Sequence, residues 1–265
     1  MSPNDSAAAG PGAPAGAISV TGLRKAFGPI VAVDGVTFEI RRGETFGLLG
    51  PNGAGKTTTI GMIVGALRPD AGTVVVDGES DPTRHSVRRR IGTAPQAIAL
   101  YGDLTGEENL RFFGALYGLS GARLRERVAW ALEFSGLASR RRHRVAGYSG
   151  GMQRRLNLVA GLLHDPPVIL LDEPTVGVDP QSRNHIFESI EALKRQGRTI
   201  LYTTHYMEEA QRLCDRVGII DRGKLLAVDA VDSLIERHGG EPVTRIERGT
   251  LETVFLSLTG HALRD

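Results

Sequence analysis

The sequence GPNGAGKTT occupies residues 50–58 and is the strongest indication of the fold. It matches the pattern G-x-x-x-x-G-K-[ST] and lies between an apolar run at 45–50 and a helical pattern at 55–66. In a strand, loop and helix of this kind, glycines let backbone N–H groups turn toward a phosphate, and the positive end of the helix dipole faces the same anion. The sequence therefore predicts a nucleotide-binding loop on an α/β core.

Individual residues of this loop have separate predicted tasks. Lys56 is predicted to reach the β- and γ-phosphates, and the Thr57 hydroxyl is predicted to ligate Mg²⁺. The other loop residues predicted to bind the nucleotide are Gly50, Pro51, Asn52, Gly53, Ala54, Gly55 and Thr58. The alternative is a glycine-rich turn that contains a lysine by chance. The complete pattern and the flanking strand and helix argue against that alternative.

Composition sets limits on the class of protein. The chain has 265 residues, of which 41% are hydrophobic, so it can bury the core of one sizeable domain or two small ones. Its net charge of +2 lacks the strong basic bias of a dedicated nucleic-acid binder. Cys214 is the one cysteine, which fits a reducing cytoplasm. No apolar run approaches the ~20 residues that span a membrane.

Strand and helix patterns alternate along the chain, which favours an α/β fold with a largely parallel sheet. Strands are predicted at 17–27, 30–40, 45–50, 72–78, 167–173, 199–205, 216–221 and 224–229, and helices at 55–66, 105–117, 121–135, 150–164, 180–196 and 206–214. Residues 97–165 break the alternation and are predicted to form a helical subdomain. Residues 1–17 are predicted to be a disordered tail, 18–230 the main domain, and 231–265 a short C-terminal extension.

Two acidic residues follow the apolar strand in VILLDEP, residues 168–174. Asp172 falls at the carboxyl end of this strand, where ligands bind in open α/β sheets, and is predicted to hold the Mg²⁺ shell. Glu173 is predicted to accept a proton from an attacking water. An ordinary strand that runs into an acidic turn is the alternative. The phosphate loop in the same chain favours the catalytic interpretation.

Three further residues complete the predicted site. His205 ends the strand pattern TILYTTH and is predicted to contact the γ-phosphate and the attacking water. Gln96, which follows the short strand in IGTAPQ, is predicted to ligate Mg²⁺ or to orient the water. Phe27 is predicted to stack on the adenine ring, with packing in the core as the alternative.

In this order, the motifs resemble those of the ATP-binding subunit of an ABC transporter, over about residues 18–230. GPNGAGKTT resembles the Walker A motif and VILLDEP the Walker B motif with its catalytic glutamate. Gln96 falls at the Q-loop and His205 at the switch histidine. The resemblance implies a P-loop NTPase core, with a mostly parallel sheet, N-terminal antiparallel strands and an inserted α-helical subdomain.

Two more motifs carry the resemblance. VGVDP, residues 176–180, resembles the D-loop with Asp179 as its aspartate, and YSGGMQ, residues 148–153, resembles the family signature. Tyr148 and Met152 stand where the family usually has leucine and glutamine. The form YSGGM resembles the exporter branch that works with type-2 permeases, as does the ending LETVFLSLTG at 251–260.

The resemblance also implies the assembly. Two copies would pair head to tail, so that ATP bound to the Walker A loop of one copy is contacted in trans by the signature of the other. The implied signature contacts are Ser149, Gly150, Gly151 and Met152. ATP and Mg²⁺ are the implied cofactors, with Asp172 holding the ion through water. The implied partners are a second copy and an integral-membrane permease, at the cytoplasmic face of the cell membrane. No nucleic acid is expected.

Surface features leave alternatives open. Ile98, Leu100 and Tyr101 are expected to line a groove for an apolar permease helix, with local core packing as the alternative. The basic runs at 88–90 and 140–144 are expected to be solvated faces, with nucleic-acid or lipid-headgroup binding as the alternative.

Other functions are consistent with part of the pattern. One is a soluble ABC-type ATPase that acts on DNA or ribosomes, and another is an adaptor that binds ATP without hydrolysing it. The single domain and the lack of a heptad insertion argue against the first, and Glu173 with His205 argues against the second. A transporter subunit that exports a drug, lipid or polysaccharide is therefore the favoured function. The sequence does not name the cargo, because the cargo contacts lie on the permease.

Overall fold

The computed structural model describes residues 16–239. Most of the predicted tail and the segment LETVFLSLTG lie outside the described residues. The strands are β1 (Ile18–Phe27), β2 (Ile30–Ile40), β3 (Thr45–Leu49), β4 (Ala71–Val76), β5 (Ile91–Ala94), β6 (Val168–Asp172), β7 (Thr199–Thr204), β8 (Arg216–Asp221) and β9 (Lys224–Ala230). The helices are α1 (Lys56–Ile63), α2 (His85–Arg88), α3 (Gly106–Leu116), α4 (Gly121–Phe134), α5 (Gly150–Ala160), α6 (Pro180–Arg195), α7 (Met207–Leu213) and α8 (Val231–His238).

These strands form two sheets. The smaller is antiparallel with the order β2-β1-β4, and the larger has the order β5-β6-β7-β3-β8-β9. The first five strands of the larger sheet are parallel, and β9 pairs antiparallel with β8 at its edge. The predicted α/β fold with N-terminal antiparallel strands is therefore confirmed.

One hydrophobic core joins the two sheets. Every residue of β3 and β6 is buried, as continuous apolar runs in parallel sheets require. Phe38 of β2 stacks on Phe46 of β3, with ring centroids 5.2 Å apart. The smaller sheet therefore packs directly on the strand that leads into the phosphate loop.

Helices α3, α4 and α5 share a second hydrophobic cluster, which includes Leu110, Val128, Leu156 and Tyr148. The N-terminus of α3 is fixed by a capping box, in which the Thr105 side chain accepts from the Glu108 amide and Glu108 bonds back to Thr105. We call this set of buried residues, together with the adjoining Tyr148, the helical cluster.

The prediction of a helix at 150–164 is too long, because α5 ends at Ala160. The chain then turns, and the buried guanidinium of Arg127 donates to the carbonyls of Leu162 and Leu163, each at 2.9 Å. A side chain from α4 therefore takes the acceptors that a continued helix would have satisfied with its own amides.

Residues up to Val231 form one compact unit, and a second unit begins at Asp232. Of the second unit, the structure describes residues 232–239, which include α8 from its second residue onward. Asp232 lies in the first turn of α8 and Arg237 in its last turn, and both charges are favourable for the helix dipole. Within residues 16–239, no helix combines the length and apolar content that crossing a bilayer takes.

The strand order places four loops side by side at the carboxyl ends of the parallel strands of the larger sheet. Strands β5, β6, β7 and β3 are consecutive and parallel, so their carboxyl ends lie side by side. Gln96 follows β5, Glu173 follows β6, His205 follows β7, and the phosphate loop follows β3. Ligands bind at this edge in open α/β sheets.

Candidate nucleotide site

The phosphate loop ends where α1 begins. Gly55 is the N-cap of α1 and has a φ of 106°, which side-chain-bearing residues rarely adopt. A Cβ atom at Gly55 would also overlap the carbonyl oxygen of Ala32 in β2. The loop therefore packs tightly under the β1–β2 hairpin, and the free N–H groups of the first turn of α1 lie at the head of the helix.

Lys56 is buried, with 4% of its surface exposed. Its Nζ donates to the carbonyl oxygens of Gly50 at 2.7 Å and Pro51 at 2.9 Å. Nζ also lies 2.9 Å from Oε1 of Glu173. Three acceptors satisfy the three protons of this ammonium group, and its charge is paired inside the site.

Glu173 is the point at which the predicted catalytic residues meet. Besides Lys56, its Oε2 accepts from Nε2 of Gln96 at 3.3 Å, and its Oε1 lies 3.4 Å from Nδ1 of His205. Glu173 is 4% exposed. The fold therefore gathers side chains from three strand ends around the carboxylate that follows the fourth.

The backbone of Glu173 is in the left-handed region, with a φ of 46°. This conformation costs a non-glycine residue about 1–3 kcal/mol and needs support from its surroundings. Thr203 of β7 gives that support, because the Glu173 amide donates to the Thr203 carbonyl at 3.2 Å and to its Oγ1 at 3.0 Å. Thr203 is a functional neighbour that sequence patterns did not reveal.

Asp172 is buried at the end of β6, and its Oδ1 accepts from Oγ1 of Thr203 at 2.6 Å. The residues predicted to hold Mg²⁺ are Thr57, Gln96 and Asp172. They offer a hydroxyl, an amide oxygen and a carboxylate, the hard oxygen donors that Mg²⁺ prefers. The Thr57 residue is exposed at the first turn of α1. The donor set thus fits a magnesium ion held by few side chains, together with phosphate and water.

The remaining loop residues divide by exposure. Pro51, Asn52 and Gly53 are exposed, Thr58 is half-buried, and Ala54 is buried. The Ala54 carbonyl accepts from the Gly223 amide at 3.0 Å, which fastens the loop to the β8–β9 turn. The exposed tip and the anchored centre leave the front of the loop open for a ligand.

Phe27 lies at the end of β1, 48% exposed, in the hairpin that contacts Gly55 through Ala32. Its ring is 5.7 Å from Nζ of Lys25. An aromatic face this exposed is not a core phenylalanine, so the packing alternative fails for this residue. Adenine stacking stays a prediction.

The signature begins α5. Ser149 is the N-cap, and its Oγ accepts from the Met152 amide at 3.3 Å. A Cβ at Gly150 would meet open space, whereas one at Gly151 would overlap Oγ of Ser182 in α6. Gly151 therefore permits close approach of α5 to α6, and Gly150 leaves the helix N-terminus accessible.

The two atypical signature residues have structural explanations. The Tyr148 ring is buried in the helical cluster, and its hydroxyl donates to the carbonyl of Arg140 at 2.9 Å. Burial raises the pKa of the Tyr148 hydroxyl. Met152 also packs against the helical cluster. Tyrosine and methionine at these positions thus add to the packing of α5 and leave Ser149 and the glycines unchanged.

Asp179 is the N-cap of α6, and its Oδ2 accepts from the Ser182 amide at 2.8 Å. This backbone hydrogen bond, followed by other contacts with Ser182, lowers the pKa of the Asp179 carboxyl. The residue is exposed. Its negative charge therefore sits at the surface beside the signature glycines, held in a fixed orientation.

Glu209 of α7 is a second residue that the sequence did not reveal. It is 3% exposed, and its carboxylate accepts from the hydroxyls of Thr175 at 2.8 Å, Tyr202 at 2.8 Å and Thr204 at 2.7 Å. The Thr204 hydroxyl in turn accepts from the Tyr206 amide at 3.0 Å. Glu209 thereby fixes the segments on either side of His205 and the one after Glu173. What marks Glu209 is the set of three hydroxyl groups that donate to it. That arrangement depends on the tertiary structure, so sequence patterns could not reveal it.

The fold and the site together define a P-loop nucleoside-triphosphate-binding domain with inserted helices. Comparison with known proteins identifies the family: the ABC transporter model matches residues 33–176. The chain belongs to the ABC transporter family and is an ATP-binding, ATP-hydrolysing subunit of that family.

Curated relatives are similar over most of their length. The Nod factor export ATP-binding protein I of Ralstonia nicotianae is 47% identical over 230 residues, which is 86% of this chain and 72% of that protein. The linearmycin resistance ATP-binding protein LnrL of Bacillus subtilis is 45% identical over 235 residues, which is 88% of this chain and 76% of that protein.

Solved structures agree with the fold. The ATP-binding subunit of an ABC transporter aligns with a TM-score of 0.75 at 31% identity, covering 91% of this chain and 99% of that one. A dimeric ATP-binding cassette in a post-hydrolysis state, bound to ADP and Pi, aligns with a TM-score of 0.74 at 26% identity, covering 81% and 98%.

Proposed function

We propose that this chain drives an export transporter, as a head-to-tail pair of copies that hydrolyses ATP and acts on a separate permease at the cytoplasmic face of the cell membrane. The observation that carries the proposal is the convergence of Lys56, Gln96 and His205 on the Glu173 carboxylate. A carboxylate in this position can accept the proton of an attacking water.

Each residue has a proposed task. Lys56 and the amides at the head of α1 bind the β- and γ-phosphates, and Phe27 stacks on the adenine. Glu173 polarises the attacking water with His205 in support. Asp172, Thr57 and Gln96 would hold Mg²⁺, which when bound neutralises charge on the phosphates. Lys56 leaves Glu173 when it binds phosphate, which frees the carboxylate for the water.

The dimer follows from the accessible signature. Ser149, Gly150, Gly151 and Met152 present a capped helix N-terminus, which is a favourable site for an anion. In the proposed pair this N-terminus contacts the γ-phosphate bound to the other copy. The dimeric form of the cassette that aligns with this chain supports the arrangement. Hydrolysis removes the γ-phosphate and weakens the contact, so ATP turnover opens and closes the pair.

The Glu173→Gln variant tests the hydrolytic assignment. Glutamine keeps the shape but cannot accept the proton, so we expect ATP binding to persist while turnover falls by about 10²–10⁴-fold. Phosphate release and a nucleotide titration measure the two quantities. Glu191→Gln is the matched control, because that glutamate is half-buried on α6 and pairs with Arg212. Wild-type turnover in Glu173→Gln would contradict the role proposed for Glu173. The Lys56→Ala variant differs, because it should lose nucleotide binding itself.

The permease contact is proposed on the exposed side chains near Gln96. Tyr101 is 51% exposed and meets Phe112 edge-on at 5.0 Å, and Ile98 is 36% exposed. Leu100, by contrast, packs against the helical cluster, so the local-packing alternative holds for that residue. The proposed contact is therefore formed by Ile98, Tyr101 and Phe112, an apolar surface suited to an amphipathic helix.

The Tyr101→Glu variant tests this surface. A charge in an apolar interface costs association, so we expect at least a tenfold loss of permease co-purification with basal ATPase activity within about twofold of wild type. Leu226→Glu is the matched control, because Leu226 is an exposed hydrophobic residue of β9. Undiminished assembly of Tyr101→Glu with the permease would contradict the proposal.

The class of exported molecule is proposed from the names of the similar proteins. Proteins named for Nod factor export and for linearmycin resistance are 45–47% identical to this chain. They support a drug, lipid or polysaccharide as the exported molecule.

A further inference from the structure

Arg154 of α5 bridges two loops of the nucleotide site. One guanidinium nitrogen donates to the carbonyl oxygen of Gln96, and the other donates to the carbonyl oxygen of Val176 at 3.2 Å. Gln96 contacts the Glu173 carboxylate, and Val176 lies between Glu173 and Asp179. A single side chain, five residues after Ser149, thereby ties the signature helix to both segments.

Asn157 lies on the same face of α5, three residues later. It is 3% exposed, its Nδ2 donates to the Pro95 carbonyl at 3.2 Å, and its Oδ1 accepts from the Ala99 amide at 3.1 Å. The loop that carries Gln96 is thus held at residues 95, 96 and 99. All these bonds go to backbone atoms, so they fix the course of the loop whatever its side chains are.

We infer that Arg154 and Asn157 are positioning residues that couple the two ATP sites of the dimer. The inference deepens the proposed function and rests on the proposed dimer and on the proposed role of Gln96. In that dimer, the head of α5 contacts the ATP of the second copy, whereas Gln96 serves the ATP of its own copy. A displacement of α5 on closure then moves Gln96 through Arg154 and Asn157, and binding at one site sets the geometry of the other.

Turnover by the purified full-length chain tests the inference, with Arg154→Met as the variant. Methionine keeps the apolar stem and removes both donors. We expect kcat to fall by about tenfold, since displacements of ~1 Å in a site cost up to ~10²-fold. The KM for ATP should stay within about twofold, because Lys56 and the loop are untouched. The Hill coefficient for ATP should fall from above 1 in the wild type to 1.

Two further variants guard against other causes. Arg123→Met makes the same substitution on the exposed surface of α4, where the guanidinium pairs with Glu126 at 2.8 Å. It should retain the wild-type Hill coefficient and kcat within about twofold. Arg154→Lys is a milder change in case Arg154→Met folds poorly. A lysine ammonium lacks the two-pronged geometry, so we expect a kcat between those of wild type and Arg154→Met.

A double-mutant cycle with Gln96→Ala identifies the path. If Arg154 acts by placing Gln96, adding Arg154→Met to Gln96→Ala lowers kcat by less than twofold further. The inference would be overturned if the kcat losses of the two variants multiply in the double variant. It would also be overturned if the Hill coefficient is unchanged in Arg154→Met, or if Arg123→Met loses as much kcat as Arg154→Met. A Gln96→Ala variant with wild-type turnover would contradict the proposed role of Gln96, and with it the path from Arg154 through Gln96. The Hill coefficient of Arg154→Met would then decide the coupling by itself.

Discussion

Thr203 links the two acidic residues of the site at the scale of single residues. Its hydroxyl donates to Asp172 at 2.6 Å, and the Glu173 amide donates to the same oxygen at 3.0 Å. Thr203 is fully buried in β7. One hydroxyl therefore stabilises the Asp172 carboxylate and the left-handed backbone of Glu173 together.

We expect Thr203→Val to lower the free energy of unfolding by about 1–3 kcal/mol, because the isosteric methyl removes the hydroxyl that donates to the buried Asp172 carboxylate. The Glu173 amide keeps its bond to the Thr203 carbonyl and loses the one to the hydroxyl. Turnover should fall as well, because the left-handed backbone of Glu173 loses one of its two hydrogen bonds to Thr203. Urea unfolding and phosphate release measure these changes. Thr203→Ser keeps the hydroxyl and is the control. Equal stability of the valine and serine variants would show that the hydroxyl contributes nothing.

At the scale of elements, a stack of aromatic rings joins the helices to the larger sheet. Tyr117, which follows α3, stacks on His164 with ring centroids 3.8 Å apart. Nε2 of His164 is 3.1 Å from the Ile91 carbonyl of β5. Because a carbonyl only accepts, Nε2 carries the proton. Nδ1 is buried without a hydrogen-bond partner among the described residues. This histidine therefore fits its place in the neutral form.

Burial lowers the pKa of His164 from 6.5 to about 4. The unfolded chain then binds the proton first as the pH falls, so the stability due to neutral His164 is present above pH ~6.5 and is lost between ~6.5 and ~4. We expect this loss to be about 1–3 kcal/mol, since one pKa unit corresponds to ~1.4 kcal/mol. Arg127 and Asp165 also act on this histidine, in opposite directions.

The variant His164→Phe keeps the stack on Tyr117 and cannot titrate. Thermal unfolding of both proteins from pH 7.5 to 4 isolates the effect, because the carboxylates are common to both. Toward low pH, the wild type should lose stability relative to His164→Phe, because only the wild type has the histidine that the unfolded chain protonates. Parallel curves would contradict the assignment.

At the scale of the whole molecule, the strand order creates the site. The loops after β5, β6, β7 and β3 follow one another along the edge, although their chain order differs. The signature lies on the helices, at the accessible N-terminus of α5. The phosphate loop precedes α1 and the signature heads α5, so the two anion-binding segments lie on different elements of one chain.

Ser149→Arg tests the pairing of whole molecules. A large cation at the head of α5 blocks the approach of the second copy, so we expect turnover to fall at least ~100-fold, as when a transition-state donor is lost. ATP affinity of the single chain should stay within about twofold. Light scattering in the Glu173→Gln background should show no ATP-dependent dimer.

Ser120→Arg is the matched control. Ser120 is the exposed N-cap of α4 and makes no side-chain capping bond. This variant adds the same charge at a neighbouring helix and should dimerise and hydrolyse ATP as the wild type does. Full turnover by Ser149→Arg would contradict the trans contact.

The α/β class and the family were predictable from the residue patterns, and so was the local structure of the phosphate loop. These features are local, because a strand, a glycine turn and a helix follow from neighbouring residues. The sequence also predicted Gln96, Glu173 and His205 as candidates, since each ends a short strand. Those same patterns placed the end of α5 too late, because Arg127 acts from a distant part of the chain. They also favoured a permease groove for Leu100 over the alternative of local packing, which the helical cluster decides.

The tertiary structure alone decided that Lys56, Gln96 and His205 meet on Glu173. That outcome depends on strand order, which local patterns do not encode. The roles of Thr203, Glu209 and Arg154 likewise depend on hydrogen bonds across 22–58 residues of chain or between adjacent strands. Such bonds are set by packing, where buried polar groups must find partners wherever the fold brings them.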